Sequence, residues 1–425
     1  MRGTGDWVTD QRPKNWREGI LFLYPNGKAP LTAMLSMAKS KKTDDPEFYW
    51  WEKSLPLQSG AITDTYEDAT FGDTAASGES FSEDDVIHVK VALAVAKEFR
   101  AGHTVLLRNS ADYGDDIAGR VTDVSLNGAS SRISIQLLED EPQAGAIGSV
   151  NRIDVIGNSN PEGGIIPDSI SYDATKLYNY TQIFRTPLEI TRTARQTRLR
   201  TGDALAEMRR EALELHSIEM EKALIWGRRT EKTGSNGKPE RTMMGLLQYI
   251  STYGDTTNNV SDYSIESSYS SDTWLTSGHI WLNEMLANIF RYGRQEKVGL
   301  CGYKALLGIN RLAENLGTIN LQPAAGKYGL RVMEWITPFG VLVLKTHPLF
   351  SYNPTDQSQI VIFEPEELTE RYILQTKKCS DPDQDTGGFQ SVDAIKEEFK
   401  TETSLELHHS VTCGLLRGVG TDNSL

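Results

Sequence analysis

Between Asp203 and Gly227 the chain carries its clearest periodic signal. Leu205, Met208, Ala212, Leu215 and Ile218 recur at three- and four-residue steps, and Glu207, Arg210, Glu211 and Glu214 fall on the opposite face. Thr201 or Asp203 caps the start, Gly227 stops the end, and Glu207–Arg210 and Arg210–Glu214 can pair across one turn. A helix over 203–227 is roughly 36 Å long at the usual rise. That is long for a small domain and suits a structural spine against which other elements are laid.

The segments around this spine read as arms and thin sheets. Residues 1–45 mix Trp7 and Trp16 with polar and basic residues, and hold one short helix signal, Ala29–Met37, ended by the basic Lys39-Ser40-Lys41-Lys42. The region has too little apolar content for a core of its own, so it is read as an arm that anchors elsewhere. Residues 46–58 form an aromatic strand around Phe48-Tyr49-Trp50-Trp51. Residues 59–85, rich in Gly, Ser, Thr, Asp and Glu, read as a loop lying in solvent. Residues 86–160 alternate short strands with turn signals, among them Asn127-Gly128 as a hairpin turn, and suggest a compact barrel. A long strand follows over 172–192.

After the spine, Arg228–Arg241 is read as a loop, and an amphipathic helix is expected after Ser277 with Ile280, Trp281, Leu282, Met285, Leu286, Ile289 and Phe290. Strands are expected at 298–302, 340–344, 359–363, 371–375, 392–407 and 411–419, which makes the chain α+β.

Composition limits the chemistry. A formal net charge of -14 opposes general wrapping of phosphate backbone, because each bound phosphate needs a cation beside it. Cys301, Cys379 and Cys413 are widely spaced with no CxxC, which points to buried free thiols in a reducing compartment and away from a disulfide framework or zinc site. The first residues are polar without a signal-peptide core, and no apolar run approaches the roughly 20 residues of a membrane helix, so a soluble protein made in a cytoplasm is expected.

No catalytic constellation survives comparison with plainer readings. Gly27-Lys28 lacks P-loop spacing, and no G-x-S-x-G, H-E-x-x-H or G-x-G-x-x-G pattern occurs. His408 and His409 point to opposite faces if they lie on a strand. Asp381, Asp383 and Asp385 before Gly387 resemble the start of a calcium loop, but Pro382 interrupts it and Val392 stands where a bidentate Glu belongs. The sequons Asn179-Tyr180-Thr181 and Asn259-Val260-Ser261 have no secretion signal to give them meaning. Arg192, Arg195, Arg198 and Arg200 form a basic patch that faces DNA or a neighbouring subunit, or else is a solvated linker or pairs with acidic residues of the same chain. No catalytic, cofactor-binding or metal residues are assigned, and no cofactor is expected. What remains is surface: a subunit with arms and a long excursion is best stabilised by neighbours.

The order of elements resembles the Hong Kong 97-type fold of tailed-bacteriophage major capsid proteins, in the branch that includes coliphage SU-ten. The strand Leu177–Arg185 is similar to that branch's strand returning from its extended loop. The helix ending Ile218–Gly227, followed by Met244-Gly245-Leu246-Leu247, is similar to its spine helix. Phe99-Arg100-Ala101-Gly102 with Gly119–Val124 resembles a β-barrel inserted in the extended loop, although His103 stands where the family favours an acidic residue. The resemblance implies an N-terminal arm at 1–45, a peripheral strand and outgoing extended loop at 46–85, and an inserted barrel at 86–164. The returning strand takes 165–200, the spine helix and peripheral domain 201–250, an axial domain 251–390, and C-terminal peripheral strands 391–425. It further implies a non-enzymatic virion subunit that forms hexamers and pentamers in an icosahedral shell around double-stranded DNA. Its partners are then other copies of itself, a separate scaffolding protein, a portal and decoration or cement proteins, with no membrane, and assembly takes place in the bacterial host cytoplasm. Two rival readings are an encapsulin-like compartment shell and, from another class, a hydrolase or carbohydrate-binding protein with a barrel module near Trp50 and Trp51.

Overall fold

The computed structural model describes residues 39–424 apart from 54–55, 76–79, 112–113, 115, 161, 164–168, 171–173, 198–202, 317–320, 328–329 and 381–393. In chain order the strands are β1 (Lys39–Lys42), β2 (Glu47–Glu52), β3 (Ser59–Tyr66), β4 (Val86–Val91), β5 (His103–Arg108), β6 (Ile117–Ser125), β7 (Ser131–Leu137), β8 (Arg152–Asn158), β9 (Thr175–Tyr180), β10 (Gln182–Thr191), β11 (Thr230–Thr233), β12 (Pro239–Thr242), β13 (Val260–Asp262), β14 (Glu296–Cys301), β15 (Leu321–Lys327), β16 (Leu330–Ile336), β17 (Val341–Thr346), β18 (Ile360–Phe363), β19 (Leu368–Ser380), β20 (Ala394–Leu407) and β21 (Gly414–Arg417). The helices are α1 (Leu93–Ala96), α2 (Ala146–Ser149), α3 (Arg192–Gln196), α4 (Ala204–Trp226), α5 (Leu246–Tyr253), α6 (Trp274–Ile289), α7 (Tyr303–Leu316) and α8 (Pro348–Tyr352). They divide into two units: Trp51–Lys176, and the rest of the chain to either side of it.

In the unit Trp51–Lys176, six strands close into a barrel in the order β3-β4-β7-β6-β5-β8. Period-two alternation builds its core: Ile87, Val89 and Val91 point inward while Val86, His88 and Lys90 face outward or lie partly exposed. Ile133 and Ile135 of β7, Val105 and Leu107 of β5, and Ile117 of β6 are likewise buried. Gly119 lies where a Cβ would come within 2.3 Å of Ile135 Cγ2, so only glycine allows this approach of β6 to the core.

One expectation fails here and a second is refined. Residues 59–85 are not a loop in solvent throughout, because Ser59–Tyr66 supplies β3, which pairs with β4 and with β8 and so closes the barrel. Its sparse apolar residues are buried, namely Ile62, Tyr66 and the nearby Ala75. The tight turn after β3 is tied by Asp68, whose carboxylate accepts hydrogen bonds from the Thr70 hydroxyl and from the Gly72 and Asp73 amides. These donors hold its pKa down at about 2. The hairpin expected at Asn127-Gly128 is present, with β6 and β7 antiparallel on either side, but its turn is longer than two residues. Gly128 alone has positive φ (53°), Asn127 lies at φ -142°, and the β6–β7 link passes through a 3-10 turn at Gly128–Ser130.

In the other unit, a four-stranded sheet has the order β1-β19-β20-β10. Lys39–Lys42, expected to close a helix, is an exposed edge strand running parallel to β19. The helix expected at Ala29–Met37 lies outside the described residues. The expected strand over 172–192 is two strands, β9 and β10, and β10 shows strict alternation with Phe184, Thr186, Leu188 and Ile190 inward.

The spine helix α4 starts where Asp203 accepts from the Leu205 amide at 3.1 Å. It ends at Gly227, where a Cβ would stand 2.3 Å from Ala223 O and 2.7 Å from Met243 O. Its first half packs Leu205 and Ala212 on Leu188 and Ile190 of β10. Its second half carries Met220, Leu224 and Ile225 into a different core. The buried face is therefore rotated from the expected one: Leu215 is 55% exposed and His216 is buried in its place. Arg210 and Glu214 do pair, at 3.9 Å.

A seven-stranded sheet of order β13-β21-β18-β14-β17-β16-β15 forms the rest. Alternate residues of its central strands serve two cores. Val298, Leu300, Val343, Val361 and Phe363 face the end of α4 and Tyr249 of α5. Cys301, Leu342, Leu344, Ile360 and Ile362 face α6 and α7. The helix α7 lies between the strands expected at 298–302 and 340–344, where no helix is expected, and α6 begins at Trp274, ahead of Ser277. The segment Arg228–Arg241 is not a loop, since β11 and β12 form an antiparallel hairpin across it. The final strands, expected together at 391–425, separate: β20 joins the four-stranded sheet and β21 the seven-stranded one. β19, which falls within the expected 251–390 domain, also belongs to the four-stranded sheet. Among the described residues no helix is long and apolar enough to cross a membrane.

Candidate functional site

The buried polar groups of the larger unit lie at joints between elements. Along α4, Arg209 Nε donates to Glu397 Oε2 of β20 at 2.6 Å, and Lys378 of β19 approaches Glu397 at 3.5 Å. His216, 1% exposed, touches Thr186 of β10 through Nδ1 at 2.9 Å and Thr401 of β20 through Nε2 at 2.7 Å. Glu221 accepts from the ring of His347, just before α8, at 2.8 Å, with both side chains fully buried. On the sheet, Glu406 is bonded by Arg371 and by His408 at 2.6 Å. In the seven-stranded sheet, Lys297 Nζ lies 2.9 Å from Glu364 Oε1, 2.9 Å from Tyr292 O and 2.7 Å from Thr412 O. All three ammonium donors are thus satisfied, which favours a charged, structural lysine over a nucleophilic one.

Asn179 forms the densest of these joints. Its Nδ2, with two hydrogens to share, lies 2.7 Å from Leu405 O, 3.0 Å from Tyr249 Oη and 3.2 Å from Met244 O, and its Oδ1 accepts from the Met244 amide at 2.8 Å. One amide side chain therefore ties β9, β20 and the start of α5 together. Sequence reasoning saw Asn179 only as a sequon. Its full burial, like that of Asn259, which donates to Val411 O and Cys413 O, closes both positions to a glycan in the folded chain. The burial was invisible because the partners are remote in sequence.

The other residues singled out in the sequence do not converge. Cys301 and Cys413 are buried thiols, and burial pushes each up to about 12. Cys379 on β19 is only partly buried, short of the expected full burial. His408 does not share a strand with His409: β20 ends at Leu407, and His409 takes a left-handed turn with φ 49°. Arg192 and Arg195 are exposed on α3, while Arg198 and Arg200 lie outside the described residues, as do Asp381, Asp383, Asp385, Gly387 and Val392. Trp50 is core, packed near Tyr249 and His408, and its neighbour Trp51 is 65% exposed. The two tryptophans cannot form one ring platform, because adjacent strand residues face opposite ways.

The exposed side chains give the larger unit its chemical character. Leu213 and Leu215 stand out on α4, Leu275 and Ile280 on α6, Tyr303 and Leu307 on α7, and Tyr352 on α8. Large apolar side chains scattered singly over a surface are common in folded chains and by themselves mark no site.

Comparison with known proteins leads to the same kind of molecule. A curated relative, the major capsid protein of Pseudomonas phage PaMx41, is 23% identical over 339 residues, covering 80% of this chain and 73% of the relative. Solved structures with a similar chain include Mycobacterium phage Adephagia, with TM-score 0.45 and 8% identity over 98% of both chains. Another is the holo-SrpI encapsulin complex from Synechococcus elongatus, with TM-score 0.38 and 12% identity over 58% of this chain and 78% of that one. A family model described as SU10 major capsid protein matches residues 7–420. With nearly its whole length matched, the chain belongs to the SU10 major capsid protein family.

Proposed function

We propose that this chain is the repeating subunit of an icosahedral tailed-phage shell, assembling through hexamers and pentamers around double-stranded DNA. Its family consists of structural capsid proteins, which makes it a component of the virion. The observation that carries the reading is the family match over residues 7–420. In keeping with it, the buried pairs Arg209–Glu397, His347–Glu221 and Lys297–Glu364 each bridge two structural elements.

In this reading the fold is of the Hong Kong 97 type. The segment before residue 46 is the arm, and the unit Trp51–Lys176 is the extended loop with its inserted barrel. The four-stranded sheet with α4 is the peripheral domain, and the seven-stranded sheet with α6 and α7 is the axial domain. Scaffold, portal and decoration proteins are separate chains, and assembly takes place in the host cytoplasm. A net charge of -14 limits adhesion between shell and genome. The test is electron microscopy of the expressed protein together with nuclease treatment of particles recovered from infected cells. Closed shells with nuclease-protected DNA are expected. A small monomer or dimer that never assembles defeats the proposal, and shells loaded with enzymes in place of DNA point to a compartment.

A further inference from the structure

The hairpin β11–β12 stands apart from the rest of the chain by its charge. From Arg228 to Thr242 no apolar side chain occurs except Pro239, and both strands are exposed over most of their length. The segment carries five cations, Arg228, Arg229, Lys232, Lys238 and Arg241, against two carboxylates, Glu231 and Glu240. It is therefore net +3 on a chain that is net -14. A two-stranded ribbon with no core is marginal alone. This one is fixed at its root. The Arg229 guanidinium lies 3.8 Å from the centre of the Tyr178 ring and donates to Tyr178 O at 2.6 Å, and the Thr242 hydroxyl donates to Arg228 O at 2.5 Å. Arg241 bonds Glu231 across the strands at 2.8 Å. Lys232 and Lys238, nearer the tip, make no ion pair among the described residues.

The barrel, taken by itself, carries the opposite feature. Glu83, Asp84, Asp85, Glu139 and Asp140 are exposed, and no Lys or Arg occurs in 81–89 or 136–151. Hydrogen bonds gather these carboxylates on one rim. The Asp84 amide donates to Leu137 O at 3.1 Å and the Glu83 amide to Asp140 Oδ1 at 2.9 Å. The Asp85 and Glu139 carboxylates accept from the Ser82 and Ala118 amides at 2.8 and 2.6 Å. None of the five forms an ion pair among the described residues. A rim held in this way loses little freedom when a partner arrives.

We propose that the hairpin β11–β12 of one copy docks, through Lys232 and Lys238, against the acidic rim of a second copy's barrel. The contact rests on the shell reading above, which supplies the neighbouring copies. Each surface has fixed charges of one predominant sign with no partner in its own unit, and the two signs are complementary. Exposed ion pairs are individually weak. A set of them on rigid supports selects register and speeds encounter more than it adds affinity, so the contact decides which surfaces meet and is weakened by added salt. The genome is a poorer occupant for the hairpin. Arg229 and Arg241 are already engaged at its root and across its strands, and Glu231 and Glu240 stand among the remaining cations, where each bound phosphate needs a free one.

The test uses full-length protein assembled from equal parts of heavy-isotope and natural-abundance chains. A carbodiimide, which joins an amine to a carboxylate without a spacer, is expected to link Lys232 or Lys238 to residues 83–85 or 139–140 in peptides of mixed label. Lys232→Glu combined with Lys238→Glu is expected to raise the concentration needed for assembly severalfold. Its thermal melt should match wild type, because neither side chain belongs to a core. Links from these lysines that run to other surfaces, or only within one copy, would overturn the contact, and so would a variant that assembles like wild type. A variant whose particles form normally but protect less DNA from nuclease assigns the hairpin to the genome and overturns it too. Wild type that never assembles removes the shell reading and the contact with it, whereas every other adverse result removes the contact alone.

Discussion

Lys297 Nζ lies 2.9 Å from Glu364 Oε1 on the seven-stranded sheet, with side chains 0% and 3% exposed. Such a pair contributes little over an apolar isostere, but breaking it strands a charge in the core. Lys297→Ala is expected to lower unfolding free energy by about 3–5 kcal/mol. The double variant Lys297→Met, Glu364→Gln should lose less than the sum of the two single changes, a coupling that denaturant unfolding of all three variants measures.

Asn179 holds the buried N–H and C=O of Met244, whereas Leu405 O also accepts from the Tyr249 hydroxyl at 2.8 Å. Asn179→Ala should therefore cost about 3 kcal/mol or more, since each stranded buried group carries about 1–3 kcal/mol. A loss below about 1 kcal/mol in urea melts would contradict the role assigned to it.

The Arg209–Glu397 contact makes a prediction about acid. The Arg209 hydrogen bond holds the Glu397 carboxyl below its ordinary 4.5. Its contribution is present above that value and is lost as pH falls through the lower, folded one. Glu397→Gln should be less stable than wild type at pH 6, with the difference shrinking as melts are taken below pH 4.5. A difference independent of pH would show that the carboxylate charge is not what matters.

At the end of the spine, Gly227 and Gly245 meet: a Cβ on Gly245 would stand 2.6 Å from Gly227 N and 2.8 Å from Ala223 O. The obstructing atoms are backbone and cannot rotate away. Gly245→Ala is expected to destabilise the chain by about 1–3 kcal/mol through overpacking, read as a lower melting midpoint with unchanged barrel signals.

The barrel has its own core, separate from those of the larger unit. A fragment spanning residues 51–176 is expected to fold alone, with a β-type circular dichroism spectrum and a cooperative melt. A featureless melt would show that the closed sheet needs the rest of the chain.

Strong local periodicity made part of this architecture readable. β4, with Ile87, Val89 and Val91 on one face, and α4, capped by Asp203 and stopped by Gly227, both stand within a residue or so of where their patterns put them. β3 was missed because its inward residues are so few; a barrel wall needs only Ile62 and its neighbours once five other strands fill the interior. α7 was missed although Ala305, Ile309 and Leu312 recur at helical steps on its buried face; Gly302 and Gly308 read as turn residues, whereas in the fold Gly308 is small so that Gly420 can approach to 2.4 Å of a Cβ placed there. Leu215 and His216 exchanged places for a different reason. The face of a helix is chosen by what covers it, and here two strands offered hydroxyls to an imidazole. The polar joints were unreadable because His347 and Glu221, or Asn179 and Leu405, are more than a hundred positions apart.

The closure of β3 onto both β4 and β8 has a consequence for life at high density. An open sheet presents a row of unpaired amides and carbonyls that any passing strand can join, and identical copies held side by side are ideal templates for such fusion. A ring of strands has no such row. Whatever the barrel touches, it can recognise only through side chains and loops, so crowding cannot zip neighbouring barrels into a fibre.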